Sequence, residues 1–279
     1  MTDFEIFSRP GATLRLYRDA PSWDGLRTAA IGGLAFEDAA SATTLLDEVL
    51  ATLRRETVAA VIGPMDGDTW HSYRTITETD GSAPFALEPR SGAFDHQVLG
   101  AAGFLPISQY VSSRAKLVDT LGPEPVTMPG ITVTPWDGTG AEALISRLFA
   151  MSGSAFAGNH FFKPITREAF LALYQPILPM LDPRHILFAH SASGDLVGFL
   201  FGYPDRLAQQ NPAAILKTYA SGLRGVGHLL ADHYHRRALD MGHDTVIHAL
   251  MHESNVSKER SIRHSAQAFR RYALLGRRL

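Results

Sequence analysis

The sequence contains no cysteine. That absence excludes disulfide staples, thiolate nucleophiles, zinc–thiolate sites and iron–sulfur clusters together. There is no excess of positive charge either. Against 28 Asp and Glu stand 26 Lys and Arg, for a formal net charge of −2 and a pI near 6.6. A chain without a global positive field is not expected to bind nucleic acid in bulk. No apolar run approaches the ~20 residues that a membrane span requires. The opening residues Met1-Thr2-Asp3-Phe4-Glu5 lack the apolar stretch of a secretory signal. The expectation is a cytoplasmic protein with no membrane partner. What is present is an ordinary globular balance: 279 residues, 45% hydrophobic, 19% charged, with a mean hydropathy of −0.03. That supplies enough apolar mass for one large core or two of common size.

Proline and glycine divide the chain near its middle. Leu121-Gly122-Pro123-Glu124-Pro125 and Met128-Pro129-Gly130 favour neither helix nor sheet. The boundaries follow: a first domain over 1–117, a linker over 118–130 and a second domain over 131–279. In the second domain, residues 131–134, 185–190, 196–203, 213–220 and 245–251 read as strands. Helices are expected over 141–150, from Thr166, over 225–241 with Gly242 as its terminator, and from Asn255 to about Phe269, with a short last strand over 272–275. The first domain reads strand 28–36, helix 43–56, strand 58–62, helix 95–102 and strand 109–115. Leu45, Leu46, Val49, Leu50 and Leu53 fall on one helical face. Strand, helix, strand, helix, strand therefore occurs twice, which suggests two related α/β domains.

The most informative stretch is Lys217-Thr218-Tyr219-Ala220-Ser221-Gly222-Leu223-Arg224-Gly225-Val226-Gly227-His228. A buried-type strand ends at its start, and a helix begins at its end. Glycines allow a ligand to approach the backbone closely. The first helical turn leaves free N–H groups at the positive end of the helix dipole. Together they make an anion site suited to a diphosphate. A phosphate-binding P-loop would need Gly-x-x-x-x-Gly-Lys-Ser/Thr, which is missing. A dinucleotide fingerprint would need a third glycine where Leu230 stands. The plain alternative is a tight strand-to-helix connection with no ligand.

This segment resembles the acyl-CoA loop of the GNAT acetyltransferase superfamily, Gln/Arg-x-x-Gly-x-Gly/Ala. Gly225 and Gly227 match its glycines, and Arg224 fits a common variant. Gly222 departs from the first position. The order strand, loop, helix ending at Asp240-Met241-Gly242, strand and Asn255 follows the family. The resemblance spans 131–279 well and about 28–115 weakly. It implies an α/β (α+β) protein of two GNAT-like domains, each a mixed, largely antiparallel sheet flanked by helices. In the first domain the corresponding loop is Glu37-Asp38-Ala39-Ala40-Ser41, with two acids and no glycine pair. Only the second domain is therefore expected to bind coenzyme.

The resemblance further implies acetyl transfer from acetyl-CoA to a primary amine by direct attack in a ternary complex. The acceptor is expected to be a small molecule. Coenzyme contacts are implied at Tyr219, Ala220, Leu223, Arg224, Gly225, Val226, Gly227, His228, Asn255, Ser257 and Arg260. A backbone N–H near Tyr219 or Ala220 would receive the thioester carbonyl. The usual general-acid tyrosine falls at Ile262, so that role is broken, and Tyr272 stands as a substitute or as core. Glu253, beside His252 at a strand end, is the carboxylate candidate for the base. Asn159 and Phe162, in Gly158-Asn159-His160-Phe161-Phe162-Lys163-Pro164, would wall the acceptor. The run Gly63-Pro64-Met65-Asp66-Gly67-Asp68-Thr69-Trp70-His71-Ser72-Tyr73-Arg74 either lines a cleft between the domains or anchors its own loop.

His228, Asp232 and His235 share a helix face, yet surface histidines are the commoner explanation and no metal is expected. A Gly-x-Ser-x-Gly elbow is absent, Ser152-Gly153-Ser154 being no substitute. The competing function is a non-catalytic acyl-CoA or small-ligand binder on the same fold. A third reading leaves the glycine loop empty and makes the chain an interaction scaffold. Oligomeric state is left open, a homodimer included.

Overall fold

The computed structural model describes residues 3–208, 212–254 and 265–279. In the first half, β1 (Glu5–Arg9), β2 (Ala12–Tyr17) and β3 (Thr28–Phe36) lead to α1 (Ala39–Arg55) and β4 (Ala60–Gly63). Then come β5 (Thr75–Thr79), α2 (Asp95–Ala101), β6 (Leu105–Lys116) and the short α3 (Leu117–Thr120). The second half runs β7 (Ile131–Pro135), α4 (Ala141–Phe156), α5 (Arg167–Tyr174), β8 (Ile186–Ser191), β9 (Leu196–Pro204), β10 (Ala214–Ser221), α6 (Val226–Asp240), β11 (Thr245–His252) and β12 (Gln267–Arg278). No described helix is long and apolar enough to cross a membrane.

The fold is mixed α/β around one sheet in the order β1-β2-β3-β4-β12-β6-β11-β10-β9-β8-β7, with β5 added against β12. Most pairings are antiparallel; β3 with β4 and β10 with β11 are parallel. Helices cover the sheet because each carries one apolar stripe. On α1 the stripe is Ala42, Leu45, Leu46, Val49, Leu50 and Leu53, packed on Leu14, Leu16, Ile31 and Val61. On α6, Val226, Leu230, Tyr234 and Ala238 pack on Leu187, Leu200, Leu216 and Val246. Gly198 lets α6 sit close, since a Cβ there would come within 2.7 Å of Val226 Cγ1.

Two features differ from the sequence reading. A helix continuing to Phe269 and a strand confined to 272–275 are replaced by β12, a strand from Gln267 to Arg278. Its backbone pairs with β6 along one edge, and with β5 and β4 along the other. Cross-strand pairing on both edges outweighs the local helical spacing. Moreover, two separate sheets were expected, whereas β6 and β12 join the halves into one. β6 lies against β11 of the second half, and β12 lies against β4 of the first.

Buried polar chemistry fastens that junction. Glu88 accepts from Arg270 Nη1 at 2.5 Å and from the Tyr272 hydroxyl, and both ion-pair side chains are almost wholly buried. Removing one partner of such a pair costs about 3–5 kcal/mol, because the other charge is stranded. Residues 118–130 are pinned as well. Asp232 accepts the Val126 N–H at 3.0 Å, and Arg236 Nη2 donates to the carbonyls of Gly122 (2.9 Å) and Glu124 (2.8 Å).

Candidate active site

The parallel strands β10 and β11 pair only at Ala214–Val246, Ile215–Ile247 and Leu216–His248. Past that point they diverge, and two bulges accompany the divergence. On β10, Leu216 faces Gly202 and Thr218 faces Phe201, so Lys217 is an inserted residue without a partner on β9. On β11, His248 faces Ser113 and Met251 faces Val111, so β11 advances one residue more than β6. Leu250, inside this bulge, has φ 57° and donates its N–H to Ser112 Oγ at 3.1 Å. Bulges bend a strand and re-aim its side chains, and they are frequent beside active sites.

The divergence opens a cavity of about 1090 Å³ that passes through the sheet. His228, Ala231 and His235 of α6 line one side. Leu144 and Ser152 of α4, Phe162 and Phe170 line the other. Trp70, His71, Tyr73 and Arg74 of the first half close its far end, so that run lines a cleft between the halves. It is also anchored. Asp68 accepts the backbone N–H groups of Trp70 (2.9 Å) and His71 (3.2 Å), and the His71 ring at 2.7 Å. The same bond raises the His71 pKa above its usual value. Trp70 Nε1 donates to the Lys163 carbonyl at 2.8 Å, and its ring meets Phe162 and Phe170 edge-on.

At one corner of the gap lies the glycine loop. Gly225 caps α6 with φ 94°, a conformation that disfavours any side chain, and no side chain caps the helix. Gly222, Leu223, Arg224 and Gly225 are exposed. Among the described residues, nothing accepts the N–H groups of Leu223, Arg224 or Gly225. Open amides at the positive end of a helix form an anion site. The strand before the loop supplies another donor. Gly222 donates to the Val197 carbonyl of β9 at 3.0 Å. Alternation then turns Ala220 and Thr218 toward β9 and the Tyr219 N–H toward the gap. Of the two residues named from sequence, Tyr219 is thus the one whose amide faces the opening.

No protein-family model matches the chain, and neither does any curated protein. Solved structures do match. A GCN5-related N-acetyltransferase from Sphaerobacter thermophilus superposes with a TM-score of 0.57 at 15% identity, over 96% of this chain and 76% of that one. A tandem GNAT protein from the clavulanic acid biosynthesis pathway gives 0.57 at 15% identity, over 96% and 78%. The chain has the GNAT fold. A probable N-acyltransferase from Enterococcus faecalis V583 gives 0.56 at 11% identity, over 96% of this chain and 59% of that one.

Set on the GNAT fold, the residues named from sequence fall into three groups. Tyr219, Ala220, His228, Asn159 and Phe162 line the cavity, and Leu223, Arg224, Gly225, Val226 and Gly227 form the open corner beside it. Glu253 and Tyr272 lie elsewhere. Glu253 forms an ion pair with Arg271 and does not line the cavity. Tyr272 is 1% exposed, and its hydroxyl is spent on Glu88 and Ser112. Burial and the Glu88 carboxylate both raise its pKa, so it is held as a neutral phenol of the junction. Asn255, Ser257, Arg260 and Ile262 lie outside the described residues. The helix face His228, Asp232, His235 does not gather as a site, because Asp232 is occupied by Arg236 and Val126. Among the described residues no three His, Asp or Glu stand together as a metal cluster.

Histidines to which the sequence assigns no catalytic role also reach the cavity. His252 accepts from Ser254 at Nδ1 (N–H at 3.2 Å, Oγ at 2.7 Å) and contacts Ser108 Oγ through Nε2 at 3.2 Å. Its ring stacks on His160 with centroids 6.0 Å apart. Burial, then His160 and Arg74, lower its pKa below the ordinary imidazole value, so it is neutral near pH 7. His235 and His248 meet Nε2 to Nε2 at 3.0 Å on the α6 side. Tertiary structure brings these histidines together from α6, β11 and the segment at residue 160.

Proposed function

We propose that the protein transfers an acyl group from acyl-CoA to a small primary amine, at the gap between β10 and β11. The parting of these strands past Leu216 and His248, next to an open glycine corner, carries this reading. The diphosphate of the coenzyme would accept hydrogen bonds from the amides of residues 223–225, with Arg224 at hand. Its thioester would reach the gap, where the Tyr219 N–H receives the carbonyl oxygen as negative charge develops there. The amine enters from the α4 side, along Asn159 and Phe162. Its nitrogen forms the new C–N bond, the C–S bond breaks to release the CoA thiolate, and the amine proton passes to Ser254 Oγ as that hydroxyl gives its own proton to Nδ1 of the neutral His252. Much of the acceleration comes from holding both reactants in one cavity.

The test is acetyl-CoA-dependent thiol release across an amine library, beside calorimetry with CoA. Micromolar CoA binding and release dependent on an amine are expected. His252→Gln should lower kcat about 100-fold with CoA affinity intact, and Glu253→Gln should lower it far less. CoA binding without turnover for any amine leaves a ligand-binding protein instead. No CoA binding at all would overturn the reading.

A further inference from the structure

Among the described residues, Arg74 is a buried cation without a counter-ion. The residue is 7% exposed. Tyr73 and Tyr110, which meet each other edge-on, both contact its guanidinium, with ring centroids 3.9 and 3.8 Å from Cζ. Two aromatic contacts hold the guanidinium in place while its N–H groups stay available for recognition. One long hydrogen bond, Nη1 to the Leu250 carbonyl at 3.4 Å, serves these groups, and the buried Nε has no partner among the described residues. The backbone at Arg74 has φ 76°, an uncommon conformation for a large side chain and one that concentrates at functional sites.

A second cation shares the cavity. Lys217 is the residue that the β10 bulge inserts, and its amine reaches the Leu87 carbonyl at 3.4 Å. The side chain is half-buried and lines the cavity. Burial, and then Arg74, push its pKa down to about 7. Among the described residues no carboxylate is bonded to either group, and Glu88 offsets only part of the downward shift at Lys217. Glu88 is the single acidic residue among the described cavity walls, and both of its oxygens are taken by Arg270, Tyr272 and the Phe85 N–H. Two basic groups facing one cavity, with the one acid of its described walls spent, leave a place for a ligand's negative charge.

We propose that Arg74 and Lys217 together bind a carboxylate on the acceptor, so that the acceptor is an amino acid or a related amine bearing a carboxylate. A flat guanidinium edge presents paired N–H donors that match the two oxygens of a carboxylate. An anion set between the two groups would also return Lys217 to its charged form. The identity of the ligand as acceptor rests on the acyl-transfer reading; the anion site itself does not.

The experiment uses the full chain and the standard amino acids with short ω-amino acids, each beside its primary amide. With acetyl-CoA, thiol release should show kcat/KM at least about 30-fold higher for some acids than for their amides, mostly through KM. That ratio should fall at least about tenfold in Lys217→Met and in Arg74→Gln, with folding checked by circular dichroism. Lys217→Met serves alone if Arg74→Gln does not fold. Equal kcat/KM for acids and amides in the wild type overturns the proposal, even if acyl transfer is established. If no amine releases thiol, calorimetry on the same panel decides. Acids that bind where their amides do not support the anion site although the acyl-transfer reading has failed, and no bound acid overturns both. Competition by inorganic phosphate with none by carboxylates would overturn the carboxylate assignment.

Discussion

The molecule contains the strand–loop–helix corner twice, and the two copies treat the helix N-terminus in opposite ways. At the β3–α1 corner, Asp38 caps the helix and its carboxylate accepts the Ser41 N–H at 2.8 Å. At the β10–α6 corner, Gly225 caps the helix, with no side chain bonded to the exposed amides. The spaces beside the corners differ as well. Next to the first, the Met65 N–H donates to the Ile31 carbonyl at 2.7 Å, and a Cβ on Gly32 would come within 2.5 Å of the Met65 carbonyl oxygen. Next to the second, the strands part into the cavity. The first corner carries its own anion and has closed the gap. The second leaves its exposed amides uncapped by any side chain. A loop of similar placement is thus a binding site or a plain connection according to whether a protein carboxylate already sits on the helix dipole.

Substitutions test that contrast. Forcing the closed gap should cost most: Gly32→Val should destabilise by about 3 kcal/mol, as overpacking against backbone does, read from urea unfolding. Gly222→Ala, in the open corner with nothing within 4 Å of its Cβ, should stay within about 0.5 kcal/mol. Equal unfolding midpoints for these two variants would mean that the first gap is not shut in solution. Next comes the transplanted acid. Leu223→Asp should weaken CoA binding roughly tenfold, by placing a like charge beside the diphosphate, and unaltered affinity would remove the loop from the coenzyme site. Gly225→Ala should cost about 1 kcal/mol of stability through its φ of 94°. The smallest effect is expected for Asp38→Ala, and it depends on pH. The Ser41 N–H lowers the Asp38 pKa. Its contribution is therefore present above the unfolded-state pKa and lost as pH falls through the folded one. Wild type and variant should differ near pH 6 and converge in acid, and a constant difference would assign the effect to packing rather than to the charged cap.

Most of the second half was legible because its elements are long and strongly patterned. The edges of β7, β8, β9, β10 and β11 fall within a residue or two of the runs read as strands. The loop was legible through Gly225 and Gly227. The opening itself was not. It depends on Lys217 being inserted against β9 and on Leu250 taking φ 57°, and leucine carries no local signal for positive φ. Arg74 was quoted in the sequence but not weighed, since its worth comes from Tyr110 and Leu250, distant in the chain. Glu253 looked like a base because carboxylates at strand ends often face solvent or substrate. The Arg271 that occupies it comes from β12, and the sequence reading started that strand too late.

The seam between β6 and β12 has a consequence for biosynthesis. Leu275 is registered against Gly63, so the first half cannot finish its sheet until nearly the last of these residues has left the ribosome. Neither half is then a unit that a nascent chain can complete alone, and contacts so far apart in sequence form slowly. Recombination that severs the two halves would leave each with an exposed strand edge prone to aggregation, which gives a mechanical reason for the pair to be inherited as one piece.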